Sequence, residues 1–375
     1  MTEFYFNDIH LLDIELSNRC NAACPMCARN IHGYSINPRL QLDELTLDDI
    51  KNIDKQYLDT LDTINISGNY GDPMICTEVV DIIKYFLKNT NAMIILNTNG
   101  GLRKPELWHM LGLLHPDRLR MRFAIDGLED TNHIYRINVK WDKVIENAKA
   151  FIDAGGYASW RFLLFKHNQH QVEEASVLAK KLGFKYFKSI VTHRWRDNNF
   201  PVLDKHGKIM YNLTPTTVNK DEYKKFDHRK DGTLRVTDKI KSKGHGYLNK
   251  SYEKQSWKNF VNEEEKQPSL SCYASADNRI YIDANGYVFP CNNTGYIHGW
   301  ANRYDYFADQ IIEKLNQYTH TNIKNDNLST ILNGNWIKYI HETWQATTIK
   351  EGRFLMCSYT CGNQSPHKMI KDHTI

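Results

Sequence analysis

The chain of 375 residues carries 48 basic and 44 acidic side chains, a formal charge of +4, and can hold one large domain plus a smaller one. So balanced a charge argues against a dedicated nucleic-acid binder, which concentrates a basic face, and no run of about 18 or more apolar residues suggests a membrane span. The acidic and aromatic start, Met1–His10, lacks the basic and apolar regions of a signal peptide. A cytoplasmic protein is expected, in which eight cysteines point to metal ligands before disulfides.

In chain order, Leu11–Leu16 reads as a first strand and Leu45–Asp59 as a helix. Strands Thr63–Ser67, Met93–Leu96, Arg120–Ile125, Trp160–Phe165 and Tyr186–Val191 then alternate with helices Thr77–Lys88, Pro105–Leu114, Lys140–Ala154 and Gln171–Leu182. Such alternation predicts an α/β fold with a parallel sheet and right-handed crossovers, closing as a partial (β/α)6 TIM-like barrel. The polar, often glycine-containing segments all follow strands, where barrels of this kind bind ligands. They are the cysteine loop after the first strand, Gly68–Pro73, Asn97–Gly101, Asp126-Gly127, Lys166–Asn168 and Thr192–Arg194.

The pattern breaks at residues 197–266, rich in Lys, Asn, Asp and Tyr, with turn signals at Leu213-Thr214-Pro215 and Lys243–Gly246. This stretch is expected to be a solvated bridging or substrate-facing insertion. Residues 1–196 form the expected barrel and residues 267–375 a smaller C-terminal α+β domain. In the latter, Arg279–Ile282 and Tyr287–Phe289 flank the turn Asp283-Ala284-Asn285-Gly286, a β-hairpin signal. Tyr306–Trp344 reads as largely helical.

Cys20, Cys24 and Cys27 fall within eight residues, C-x3-C-x2-C, directly after the first strand. A loop that short cannot bury each thiol separately, so the sulfurs must converge, and converging thiolates suit a soft metal site. Structural zinc prefers four ligands, usually as two distant pairs. A triplet suits a 4Fe–4S cluster with three irons held by cysteine and the fourth open. A zinc knot or free thiols remain the alternative.

With this spacing the chain resembles the radical S-adenosylmethionine (radical SAM) superfamily. The resemblance implies that Cys20, Cys24 and Cys27 hold the catalytic 4Fe–4S cluster and that S-adenosylmethionine chelates its open iron. An electron then cleaves the sulfonium to give a 5′-deoxyadenosyl radical. The residue before the third cysteine, often aromatic in the family, is Met26, whose thioether can also pack on a flat ring. Gly68–Pro73 resembles the family's Gly-Gly-Glu-Pro motif in a longer form with Asp for Glu, which implies that Gly68, Gly71 and Asp72 lie near the ligand's amino group. Asn97 opens a Thr-Asn-Gly-like segment. Asp126 belongs to a Ser-Ile/Leu-Asp-Gly-like segment, here with Ala124 for Ser, which implies a contact with ribose or carboxylate. Arg136 also resembles the subfamily. Arg161 is a candidate carboxylate partner, since a guanidinium matches a carboxylate as a fork.

Cys272, Gly286 and Cys291, spaced C-x13-G-x4-C, resemble the opening of the auxiliary-cluster module called SPASM. With only Cys357 and Cys361 to follow, the shortened twitch form is implied, its four thiolates closing a second, auxiliary 4Fe–4S cluster. A four-thiolate zinc site has the same spacing. Cys76 is expected to be a small buried apolar residue, and Trp195, Tyr296 and Trp300 are candidates for lining a substrate cavity or for core packing. The expected function is hydrogen abstraction from a peptide or small-molecule substrate, fed by a reductase or flavodoxin-type electron donor, without membrane or nucleic-acid partners. The alternative from another class is a zinc-stabilised binding module without redox chemistry.

Overall fold

A computed structural model describes residues 8–192, 194–195, 198–218, 224–229, 270, 272–299 and 305–361. The expected turn at Lys243–Gly246, and His193 and Trp300, lie outside them. Six parallel strands, β1 (Leu11–Glu15), β2 (Thr63–Ser67), β3 (Met93–Thr98), β4 (Leu119–Ala124), β5 (Tyr157–Leu164) and β6 (Tyr186–Val191), pair in sequence order. The fold is the expected α/β partial barrel.

The two faces of these strands differ in chemistry, because side chains alternate. Leu12, Ile14, Ile64, Ile66, Ile94, Leu96, Met121, Phe123, Trp160 and Phe162 are buried in one hydrophobic core. Against it pack the apolar faces of the helices α3 (Val79–Asn89), α6 (Trp141–Asp153) and α7 (Val172–Leu182), counting the shorter α1, α2, α4 and α5 given below. Asp13, Glu15, Asn65, Asn97, Arg122 and Arg161 occupy the alternate positions, so the other face is polar.

The helix expected over Leu45–Asp59 is two helices, α1 (Leu47–Lys51) and α2 (Lys55–Thr60). Thr46 caps α1 through a reciprocal capping box with Asp49. The break at 52–54 comes from the far end of the chain. The Asn52 carbonyl accepts from Leu328 N (2.9 Å), its amide donates to Ile323 O (2.8 Å), and the Asp54 carboxylate accepts from Ser329 N (2.7 Å). Helix α4 spans Pro105–Leu114 as expected, and a one-turn α5 (Asn132–Tyr135) precedes Arg136.

Within the expected insertion, β7 (Phe200–Leu203) and β8 (Ile209–Leu213) form an antiparallel hairpin. It returns to the barrel through Lys166 N, which donates to Thr214 O (3.1 Å). The two-residue β9 (His228–Arg229) pairs antiparallel with β6. The C-terminal hairpin, β10 (Arg279–Ile282) and β11 (Val288–Phe289), does form, and it joins the main sheet: β10 lies parallel to β1, Leu11 opposite Arg279 and Ile14 opposite Ile282. The nine-stranded order is β9-β6-β5-β4-β3-β2-β1-β10-β11. Three of the later helices, Asp305–Leu315, Leu328–Leu332 and Asn335–Thr343, occupy most of the stretch read as helical. Ile280, Tyr281, Ile282, Val288, Phe289 and Trp336 continue the barrel's hydrophobic core.

Candidate active site

The loops at the carboxyl ends of β1 to β6 surround a cavity of about 350 Å³. Cys20, Cys24 and Cys27 all line it, with Gly68, Gly71, Asp72 and Asn97 from β2 and β3. Arg136 and Arg194 bring guanidinium groups to its wall. Among the described residues no three Cys, His, Asp or Glu side chains gather tightly enough to hold a single metal ion. The thiols border an open space.

Each thiol is held by a neighbour from another loop. Ala22 N (3.3 Å) and Asn99 Nδ2 (3.7 Å) donate to Cys20 Sγ, Arg136 Nη1 donates to Cys24 Sγ (3.6 Å), and Cys27 Sγ donates to the Asn69 carbonyl (3.8 Å). Burial pushes the Cys20 thiol up, and pushes Cys24 up to about 11 despite the Arg136 charge beside it. A metal bound at such thiols would displace their protons, the usual linkage of metal binding to deprotonation.

The Gly68–Pro73 loop owes its shape to two glycines and two buried acids. A Cβ on Gly71 would stand 1.8 Å from Ser17 O, and one on Gly68 would stand 2.4 Å from Gly71 O, so neither position admits a side chain. Asp72 accepts from Met74 N (3.0 Å), Thr98 Oγ1 (3.0 Å) and Asn99 N (2.7 Å), lashing this loop to the end of β3. Its carboxylate is thus spent on the two loops, while the residue itself lines the cavity. Gly71→Ala is expected to destabilise the protein by about 1–3 kcal/mol, measured by urea denaturation, because the whole loop must move to clear Ser17.

Glu15 was not singled out from the sequence. Its Oε1 accepts from Tyr70 N (2.6 Å) and Gly71 N (2.9 Å), and its Oε2 accepts from Tyr281 OH (3.0 Å). This one carboxyl ties β1, the glycine loop and β10 together. Burial raises its pKa to about 7, the hydrogen bonds from Tyr281 and from the Asn69–Gly71 backbone offsetting only part of that. Because the folded pKa lies above the ordinary value near 4.5, the folded state binds the extra proton between pH 4.5 and 7. Stability therefore falls as pH rises through that window, by about 3 kcal/mol at most. Glu15→Gln is expected to flatten this slope in urea titrations run from pH 4.5 to 8. A variant with the same slope as the parent would assign it to other groups.

Of the expected site residues, Met26, Asp126 and Arg161 stand one step back from the cavity wall. Met26 is buried and outside the cavity wall, and its carbonyl accepts from Arg194 Nη1 (3.3 Å). Asp126 is buried beneath Arg136 and pairs with its Nε at 2.6 Å, while its other oxygen accepts from Leu163 N (2.7 Å). Asp126 thus orients the guanidinium that faces Cys24. Asn97 donates to Asn65 Oδ1 (3.0 Å) and Ile66 O (3.1 Å). Arg161 lies two residues before Leu163, a cavity residue, with its guanidinium 5.8 Å from the Tyr186 ring centre. Cys76 is buried, its thiol directed at Leu45 O (3.5 Å). Trp195 and Tyr296 are buried, Trp195 in the main core and Tyr296 edge-on to Tyr70.

The four C-terminal cysteines come together from three segments: Cys272 before a helical turn (Tyr273–Ala276), Cys291 after β11, and Cys357 and Cys361 on the last described helix (Leu355–Cys361). Cys272, Cys291 and Cys361 share one small buried cluster with Tyr273. A hydrogen bond between Cys272 and Cys361 pulls the Cys272 thiol down and pushes Cys361 up. Cys291 and Cys357 are raised by burial and by the charge of the neighbouring thiols. Asn69 bridges toward this region, donating to Tyr281 OH (3.3 Å) and accepting from Tyr296 OH (3.3 Å).

No helix among the described residues is long and apolar enough to cross a membrane. No curated protein matches the chain. Among solved structures, SuiB of Streptococcus suis is 16% identical over 76% of this chain and 61% of its own, with a TM-score of 0.47. The chain thus spans about three-fifths of SuiB. The structure of anSMEcpe with bound AdoMet is 14% identical over 94% of this chain and 86% of its own, at a TM-score of 0.49. BtrN in complex with AdoMet and 2-DOIA is 10% identical over 95% and 93%, at 0.40. The family model described as the radical SAM superfamily matches residues 14–179, which include the end of β1, the three cysteines and strands β2 to β5. Residues 14–179 of this chain form a radical SAM superfamily domain.

Proposed function

We propose that the protein is a radical SAM enzyme that oxidises or otherwise modifies a peptide or small-molecule substrate by hydrogen abstraction. The observation that carries the reading is that Cys20, Cys24 and Cys27 border one cavity of about 350 Å³ together with the Gly68–Asp72 loop and a guanidinium. The donor set fits a 4Fe–4S cluster: three thiols in contact with backbone, amide and guanidinium groups, with Arg136 to offset thiolate charge. Such a cluster, when bound, supplies the electron that cleaves the sulfonium of S-adenosylmethionine and so yields a radical able to take hydrogen from an unactivated carbon.

The rest belongs to the polypeptide. Cys20, Cys24 and Cys27 hold the cluster. Main-chain groups of Gly68–Gly71, kept in position by Glu15 and Asp72, face the ligand's amino group. Arg136, held by Asp126, offers its guanidinium to the carboxylate. Enclosing loops keep water away from the reacting carbon. Cys272, Cys291, Cys357 and Cys361 hold a second, auxiliary 4Fe–4S cluster of the twitch type, which suits an oxidation whose second electron must be removed. A flavodoxin-type reductase is the electron source.

Anaerobic reconstitution tests the reading. Roughly eight irons per chain, and release of 5′-deoxyadenosine on dithionite reduction, are the expected results. Bound zinc with no cleavage would replace the enzyme by a metal-stabilised binding module. Deuterated candidate peptides and small molecules, tried one at a time, identify the substrate carbon when label enters 5′-deoxyadenosine.

A further inference from the structure

Four side-chain amides, those of Asn30, Asn69, Asn97 and Asn99, stand on the wall of the cysteine cavity. Three of them have their oxygens occupied. Asn30 Oδ1 accepts from Arg29 Nη1 (3.1 Å), Asn69 Oδ1 from Tyr296 OH (3.3 Å) and Asn99 Oδ1 from Gly101 N (2.8 Å). Asn97 differs. Its Nδ2 donates to Asn65 Oδ1 (3.0 Å) and to Ile66 O (3.1 Å), which uses both amide hydrogens. A main-chain carbonyl can only accept, so the nitrogen must face Ile66 and the oxygen is the end left over. No donor among the described residues reaches that oxygen. On the neighbouring strands the wall is Ala124, Leu163 and Ile190, whose side chains offer no acceptor.

The orientation of this amide is set from distant parts of the chain. Asn65 lies opposite Asp13 on β1 and opposite Ile95 on β3, so Asn97 is its diagonal neighbour. Asn65 Nδ2 donates to Asp13 Oδ1 (2.6 Å), which turns Asn65 Oδ1 toward Asn97. Arg279 of β10 closes the chain, its Nη1 donating to Asp13 Oδ2 (3.2 Å). Donors therefore point one way from β3 through β2 to β1, and a cation holds the last acceptor. Hydrogen bonds so linked reinforce one another, and turning any one amide over would break its neighbour's bond as well. Asn65, Asp13 and Arg279 do not themselves border the cavity.

We propose that Asn97 Oδ1 accepts a hydrogen from the nucleoside half of S-adenosylmethionine, a ribose hydroxyl or the adenine amine, and that Asn65, Asp13 and Arg279 are positioning residues for it. The assignment rests on the radical SAM reading, in which the ligand's ammonium goes to the glycine loop and its carboxylate to Arg136, so that the nucleoside's hydrogens remain to be met. A site that presents a fixed acceptor discriminates against an analogue lacking the matching hydrogen.

The test is equilibrium dialysis of S-adenosylmethionine, and of its 2′-deoxy, 3′-deoxy and 6-deamino analogues, against the full-length reconstituted protein. The parent is expected to bind one analogue about tenfold more weakly than S-adenosylmethionine, and that analogue identifies the donor. In Asn97→Ala and Asn65→Val the two affinities should come within about twofold of each other, whereas Lys84→Gln, on the exposed side of α3, should keep the parent's ratio. A merely structural role for Asn65 would weaken both ligands alike and leave the ratio unchanged. That result overturns the proposal, as does a parent that binds all four ligands equally or binds none. Should Asn65→Val fail to fold by circular dichroism, Asn65→Ser takes its place. Release of 5′-deoxyadenosine by the same parent preparation is measured alongside. Binding with the expected ratios but no release would count against the enzyme reading and leave the proposal standing. Release with unchanged ratios in the variants would do the reverse.

Discussion

Cys24→Ala is expected to abolish reductive cleavage of S-adenosylmethionine, a fall of roughly a thousandfold or more, equivalent to about 4 kcal/mol of barrier. The side chain is buried, its sulfur borders the cavity, and it accepts from Arg136 at 3.6 Å, so alanine removes both the proposed cluster ligand and one contact of the neighbouring cation. Cys291→Ala is the informative contrast. Its thiol sits with Cys272 and Cys361 in the separate C-terminal cluster, so some uncoupled 5′-deoxyadenosine release should survive while product formation stops. Iron should fall toward roughly four per chain. Chromatography of 5′-deoxyadenosine and an iron assay on the same samples read both outcomes. Full product formation by either variant would contradict the assignment.

Asp126→Ala is expected to cost about 3 kcal/mol of stability, because it strands the partly buried Arg136 guanidinium without its counter-charge. The pair is close (2.6 Å) and Asp126 is 1% exposed, so water cannot take the carboxylate's place. The second oxygen also satisfies Leu163 N at 2.7 Å, which adds an unpaired backbone donor to the loss. Asp126→Asn keeps an acceptor for that donor and should lose less. Removing both partners, as Asp126→Ala with Arg136→Ala, should recover part of the stability, since no buried charge is then left alone. Urea denaturation of the four proteins closes a double-mutant cycle. A coupling energy near zero would mean that the pair does not hold Arg136 in place.

The barrel was legible because its strands are short apolar runs ending in polar or glycine-bearing loops, and all six strands fall where the alternation puts them. The cysteine triplet and the glycine loop were legible for a related reason: their chemistry lies in contiguous residues. Glu15 escaped because an acid inside Leu-Leu-Asp-Ile-Glu-Leu looks like an interruption of a strand. Its alternation with Asp13 on one face was the available signal, since two acids two residues apart on a strand share a side. The break at Asn52 was hidden for the opposite reason. Local pattern there favours one helix, and the residues that take its hydrogen bonds lie near 323–329, more than two-thirds of the chain length away. Similarly, hairpin chemistry announced β10 and β11, but nothing local said that β10 would lie beside β1. Arg161 drew attention as a candidate carboxylate partner, and only the register, which no local pattern shows, sets it beside Ala124 and Lys188.

The pairing of β1 with β10 joins Leu11 to Arg279, which imposes an order on biogenesis. At about 5–20 residues per second, the ribosome needs roughly 13–54 s to emit the stretch between them, and for that time β1 has an open edge on one side. Glu15 lacks its Tyr281 hydroxyl over the same interval. An unpaired edge invites association with other nascent chains, so soluble yield should rise with chaperone supply and fall when the middle of the message is translated slowly.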